Sequence, residues 1–191
     1  MIDVGTGDGV FVYKSARLNP RKLYIGVDAN PRPLEKISEK IHRRPQKGGM
    51  PNALFVQAAV ESLPDELHGV AVEVHVHFPW GSLLRAVATG DSAVLGNLRR
   101  ICAVGAQLEI VASLDPERDR AEMQRLGLEA LSLEYIDFVL SPRYRDAAFA
   151  VTKRGILSPR ECTRLETAWA KRLSGSDRTV WHILARAVEF A

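Results

Sequence analysis

The feature that most constrains this chain stands at its beginning. Ile2-Asp3-Val4 runs without a break into Gly5-Thr6-Gly7-Asp8-Gly9, and a helical stretch from Val10 to Leu18 follows, ended by Asn19-Pro20. A short apolar strand, a loop with glycine at every second position and a helix together specify the first unit of an α/β sheet. Glycine lets the backbone turn tightly and approach a ligand closely. A dinucleotide fingerprint would need its third glycine three residues after the second, and that position is Val10. This is not an NAD loop.

The alternation of strand and helix continues along the 191 residues. Lys22 to Asp28 is a second apolar strand. Leu34, Ile37 and Ile41 recur at helical spacing, and Pro45 with Gly48-Gly49 closes that helix. Ala53 to Gln57 is a third strand. Val70 to Phe78 is a fourth, with valine at 70, 72, 74 and 76, and Leu108 to Ala112 is a fifth. Phe149 to Val151 and Thr179 to Val188 read as the last two. This order predicts one domain built on a mostly parallel sheet with helices on both faces. Two connections exceed what the architecture needs. Residues 114–148 should hold helices around Pro116–Leu126 and Ser132–Leu140, and residues 153–178 read as a binding insertion between the last strands. Met1 stands almost against Asp3, leaving about four residues for the first strand, as in a chain that is trimmed or started late.

Bulk properties exclude several classes. No apolar run has the length of a membrane span and no signal-peptide pattern opens the chain. Cys102 and Cys162 form no metal or redox spacing and suit a reduced cytoplasm. Net charge is only +3, with a pI of about 9.0, so the placement of the basic residues matters more than their number.

The Asp3-x-Gly5-x-Gly7-x-Gly9 form resembles motif I of class I S-adenosylmethionine (SAM)-dependent methyltransferases. Asp28 follows Gly9 by nineteen residues and ends the second strand. A carboxylate at a strand's carboxyl end faces the ligand crevice of an open α/β sheet and can bind both hydroxyls of a ribose. The competing reading is a helix N-cap before Pro31. Ala59, Val60 and Glu61 follow the third strand, where they would border the cofactor adenine; a solvated first-turn glutamate is the alternative for Glu61.

Phe78-Pro79-Trp80-Gly81 lies at the carboxyl end of the fourth strand, where substrate meets the methyl group in this fold. A Pro-Trp pair there offers a backbone carbonyl for an exocyclic amine and a flat plate for a purine. Trp80 otherwise plugs the end of the sheet. Trp169 shares a helical face with Leu165 and Leu173, so core packing competes with an RNA-facing role suggested by Lys171, Arg172 and Arg178. Arg43, Arg44 and Lys47 lie in the densest basic run, a loop suited to phosphates or simply to water. His75 and His77 share one side of a strand, but no third ligand with suitable spacing accompanies them. They are expected to be satisfied polar residues beneath a helix, and no metal is expected.

Together these residues resemble the aminoglycoside-resistance 16S rRNA (adenine-1408-N1)-methyltransferases over nearly the whole chain. The glycine loop is generic to methyltransferases; Phe78-Pro-Trp-Gly-x-Leu-Leu84 and Trp169-Ala-Lys-Arg-Leu173 carry the specific likeness. The resemblance implies a class I, Rossmann-like sheet of seven strands, mostly parallel with the last strand antiparallel. It implies that Asp3, Gly5, Gly7, Asp28, Ala59, Val60 and Glu61 bind SAM, and that Phe78 and Ser82, the latter counted with the cofactor residues, shape the pocket mouth. Phe78, Pro79, Trp80 and Trp169 form the implied catalytic set, the two tryptophans sandwiching a flipped adenine. Arg43, Arg44, Lys47, Lys171 and Arg172 would dock on 16S rRNA in the 30S subunit, and Arg178 would hold the flipped nucleotide's phosphate. Ala150 stands where the family carries an arginine. A monomer is implied. Adenine N1 has an in-plane lone pair and no proton at neutral pH, so the lack of a His or carboxylate dyad is expected. Methyltransferases on tRNA guanine N7 or on a small molecule, and a SAM-binding homologue without turnover, are the competing readings.

Overall fold

A computed structural model describes residues 1–165, 167–173 and 177–189, apart from the side chains of Ala168, Lys171 and Arg172. Seven strands form one sheet in the order β3-β2-β1-β4-β5-β7-β6. They are β1 (Ile2–Val4), β2 (Tyr24–Asp28), β3 (Ala53–Gln57), β4 (Ala71–His77), β5 (Cys102–Ser113), β6 (Phe149–Ile156) and β7 (Val180–Ala187). Strands β1 to β5 pair in parallel, and β7 runs antiparallel to both of its neighbours. The seven-stranded, mostly parallel sheet expected from the sequence is therefore present. The order reverses at β1 and β4, which places the ligand crevice over their carboxyl ends.

The local sequence explains the central units. β1 is buried throughout, with Ile2 and Val4 on one side and the Asp3 carboxylate on the other, as a strand covered on both faces is. The helix α1 (Val10–Leu18) buries Val12, Tyr13 and Ala16, spaced for one face, and α2 (Glu35–Ile41) anchors Ile41 beside them. On the other face α3 (Gly81–Thr89) and α4 (Ser92–Ile101) supply Leu84, Leu95, Leu98 and Ile101, all fully buried. Asp91 caps α4 by accepting from the amides of Ala93 and Val94, both at 3.1 Å.

The two long connections differ from their sequence reading in detail. In the first, α5 begins at Arg120 and ends at Leu126, because the Asp115 carboxylate accepts from the amides of Glu117 and Arg118 and turns the chain before it. The expected helix at Ser132–Leu140 starts as α6 (Leu133–Tyr135), passes through a π-helical stretch (Ile136–Leu140) and continues as α7 (Ser141–Asp146). Buried Tyr144 pins α7 by donating to the carbonyl of Val87 at 3.0 Å. In the second, β6 runs on to Ile156, and two short helices follow, α8 (Pro159–Arg164) and α9 (Ala168–Leu173). Their buried members, Cys162, Ala170 and Leu173, pack with Phe78, Val111 and Val180 and fix the insertion over the end of the sheet. Among the described residues no helix is long and apolar enough to cross a membrane.

Candidate active site

A cavity of about 650 Å³ opens over the carboxyl ends of β1, β2 and β4, within the range of small-molecule sites. Its floor is the glycine loop. The amides of Gly5 and Thr6 both donate to the carbonyl of Val27, at 2.8 and 3.1 Å, and tie the loop to β2. Gly5 has φ of +77°, and a Cβ there would lie 2.7 Å from the Leu83 side chain. Gly7 has φ of +59° with open space where a side chain would project, so its backbone is laid bare to the cavity.

Asp28 is fixed by this loop. One carboxylate oxygen accepts from the amide of Gly7 at 2.8 Å and the other from that of Asn30 at 2.9 Å. The helical turn that follows (Arg32–Leu34) takes its side-chain contact from Asn30, whose Oδ1 accepts from the amide of Arg32 at 3.2 Å, so Asp28 does not serve as its N-cap. Each oxygen keeps lone-pair capacity for a diol. Asp3 is buried at the cavity wall, and one of its oxygens has no partner among the described residues. Burial pushes its carboxyl pKa up, partly offset by nearby His77. A carboxylate in that position gains from a cationic group brought by a ligand. Ala59, buried Val60 and exposed Glu61 form a further wall, and Ser82 stands at the start of α3; all four line the cavity.

The rim comes from the other half of the sheet. Phe78 adopts φ of +49°, a left-handed conformation unusual for an aromatic residue. Its amide bonds the carbonyl of Val111 at 2.7 Å and its ring is buried against α9. This strained turn carries buried Pro79 and projects Trp80, which is 54% exposed, at the N-terminus of α3. Trp80 therefore does not plug the sheet end. On α9, Ala170 and Leu173 face inward while Trp169 is 45% exposed. Leu165 belongs to the preceding turn, because Thr167 caps α9 by accepting from the amide of Ala170 at 2.9 Å. The helical face shared by Leu165, Trp169 and Leu173 in a continuous helix does not form. Both tryptophans line the cavity, and beside them a smaller recess is bordered by Arg178.

Arg178 is ion-paired with buried Asp119. Arg43, Arg44 and Lys47 are exposed on the loop between α2 and β3, away from the cavity lining. That loop is anchored where the Tyr13 hydroxyl donates to the carbonyl of Gly48 at 3.0 Å. The side chains of Lys171 and Arg172 lie outside the described residues. Ala150 is exposed on β6 and pairs with Arg186 of β7. The cavity also takes in Phe11, Pro33, His77, Leu83 and Thr167, which the sequence reading did not single out for binding. The apolar ones carry no signal that separates them from core.

Behind the floor lies a polar cluster that sequence spacing missed. His75 and His77 meet Glu109 of β5, whose Oε2 lies 2.8 Å from Nδ1 of His75 and 2.9 Å from Nε2 of His77. Its Oε1 lies 2.9 Å from Nε2 of His182 on β7. The hydrogen bonds from the three imidazoles hold the Glu109 carboxyl far below the usual carboxylate range, against the effect of burial. His75 is pushed up to about 9: burial opposes the rise, and its contacts with Glu109 and Glu73 outweigh it.

These features have close counterparts in known proteins. Residues 1–187 match the sequence model of the family described as NpmA, 16S rRNA (adenine(1408)-N(1))-methyltransferase. The enzyme of that name from Streptoalloteichus tenebrarius is 39% identical over 176 residues, covering 92% of this chain and 80% of the relative. The crystal structure of the aminoglycoside resistance methyltransferase NpmB1 superposes with a TM-score of 0.87 at 49% identity, covering 98% of this chain and 86% of that one. A mutant of the Catenulisporales acidiphilia 16S rRNA (adenine(1408)-N(1))-methyltransferase, solved with cosubstrate SAM, superposes with a TM-score of 0.89 at 35% identity, covering 98% of this chain and 85% of that one. With its sheet order, its glycine floor and two tryptophans lining the cavity, the chain belongs to the 16S rRNA (adenine(1408)-N(1))-methyltransferase family.

Proposed function

We propose that this protein methylates N1 of adenine 1408 in the decoding site of 16S rRNA, within the assembled 30S subunit, using SAM, and thereby confers aminoglycoside resistance. It acts as a single-domain monomer in the cytoplasm. The observation that carries this reading is the pair of half-exposed tryptophans, Trp80 and Trp169, at the mouth of a cavity whose floor suits a nucleoside.

The residues present fit SAM. Asp28 has spare acceptor capacity for the ribose diol, Asp3 has an oxygen without a partner among the described residues that would take the ammonium, and Ala59, Val60 and Glu61 would wall the adenine. When bound, SAM supplies a methyl group made electrophilic by the sulfonium. Trp80 and Trp169 take the flipped adenine between their faces, offsetting the cost of drawing it from the RNA. A backbone carbonyl of the Pro79-Trp80 pair would orient it by accepting from its exocyclic amine. Adenine N1 would form the new N–CH3 bond with its own lone pair as the S–CH3 bond breaks and S-adenosylhomocysteine is released, so no side chain has to remove a proton. The methylated ring carries a positive charge, which two indole faces stabilise. The enzyme's contribution is positioning and the exclusion of water.

Arg43, Arg44 and Lys47 dock on rRNA phosphates, joined by Lys171 and Arg172, and Arg178 leaves Asp119 to hold the flipped nucleotide's phosphate. Recognition of this kind reads the shape of folded RNA. Calorimetry with SAM, and methyl incorporation into 30S subunits against protein-free 16S rRNA, test the proposal. SAM binding with preferential labelling of subunits is expected. Equal labelling of naked rRNA would remove the 30S requirement, and no labelling of either would remove the activity.

A further inference from the structure

We propose that His75, His77 and Glu109 form a binding site for a divalent transition-metal ion of the zinc class, with His182 orienting the carboxylate. This inference stands apart from the methyl-transfer reading. Spacing along the chain offers only two ligands, and the sheet supplies the rest. His75 and His77 alternate on β4 and so project from one face. Glu109 is the cross-strand neighbour of His75, and His182 is the cross-strand neighbour of Val111 on the adjacent strand.

The three ligand atoms already converge. Nδ1 of His75 and Nε2 of His77 lie 3.4 Å apart, and each is within 2.9 Å of the same Glu109 oxygen. Tetrahedral zinc, with bonds of about 2.0–2.1 Å, holds its ligand atoms roughly 3.3–3.4 Å apart. The two imidazoles have that separation, and the carboxylate needs to withdraw by only about half an ångström. Two imidazoles with one carboxylate are a known zinc donor set that leaves a fourth position for water.

The surroundings match those of a metal centre. Nε2 of His182 bonds the other Glu109 oxygen at 2.9 Å, and Nε2 of His75 stands 4.0 Å from Glu73. Such outer contacts fix the orientation of ligands. The Phe11 ring covers the pair, its centroid 4.8 Å from that of His77 and 5.4 Å from that of His75. All the donors sit on rigid strands, so binding orders no loop. A metal here would clamp β4 to β5 immediately before the strained turn at Phe78.

The test is titration of chelator-treated, tag-free protein with zinc sulfate, followed by native mass spectrometry and thermal melting. One ion per chain is expected, with a raised melting temperature. His75→Gln with His77→Gln should abolish both effects, and His182→Asn should weaken binding roughly 10- to 100-fold. Failure of the wild-type protein to take up one ion, or uptake undiminished in the double variant, overturns the proposal. Should that variant fail to fold, X-ray absorption at the zinc edge of the loaded wild-type protein decides. Two imidazole nitrogens with a carboxylate oxygen around the ion support the site, and any thiolate sulfur or fewer than two imidazoles overturns it.

Discussion

The floor and the rim of the cavity are built by different means. The floor is backbone: the amides of Gly5 and Thr6 are tied to Val27, the amide of Gly7 to Asp28, and Asp3 is buried beneath them. The rim is side chain: two tryptophans, each about half exposed, presented by a strained turn and by a short helix in an insertion. Floor residues therefore serve folding and ligand together. Rim residues are separable from folding. The difference teaches where function can be altered without loss of the fold.

The sharpest way to break this comparison uses one residue type in two settings. Trp181 is 8% exposed within the core, whereas Trp80 and Trp169 are not buried. Trp181→Ala should cost about 3–5 kcal/mol of stability in denaturant unfolding. Trp80→Ala and Trp169→Ala should each stay within about 0.5 kcal/mol of the parent. A large loss from either would return that tryptophan to the core.

The next effect belongs to the floor. Asp28→Ala removes the acceptor of two amides and of the proposed ribose, so calorimetry should show SAM binding weaker by about 1.5–3 kcal/mol. Unchanged affinity would take Asp28 out of the site. At the rim, Trp80→Ala or Trp169→Ala should leave SAM affinity intact and lower methyl transfer at saturating SAM by about 1–3 kcal/mol per ring. Phenylalanine should restore part of the rate, since it keeps a smaller π face. Equal loss of SAM binding and turnover would merge floor and rim. The smallest effect is expected on the docking loop. Arg43→Glu, Arg44→Glu or Lys47→Glu should each weaken 30S binding by at least about 0.2–1 kcal/mol, more at low salt, with the melting temperature unchanged.

The sequence made the floor far more legible than the rim. α1 and β3 lie where periodicity and glycine punctuation put them, because those signals are local. β5 begins at Cys102, well before its apolar run, since its exposed residues around Val104 and Gly105 lack a burial pattern. The sequence reading did not single out α3 and α4. The Leu165-Trp169-Leu173 spacing suggested one helix, and the cap at Thr167 divides it. The positive φ of Phe78, the Asp119–Arg178 pair and the meeting of His75, His77, Glu109 and His182 all depend on contacts between distant segments. No spacing along the chain encodes them.

The central claim is methylation of one ring nitrogen in one folded RNA. Primer extension on 30S subunits incubated with this protein and SAM tests it most directly, because a methyl group on N1 blocks the pairing edge of adenine. The account predicts a new stop immediately 3′ of adenine 1408, the mark of a blocked 1408, that requires SAM and weakens in Trp80→Ala and Trp169→Ala in step with their slower methyl transfer. A stop at another nucleotide, or none despite SAM binding, would contradict it.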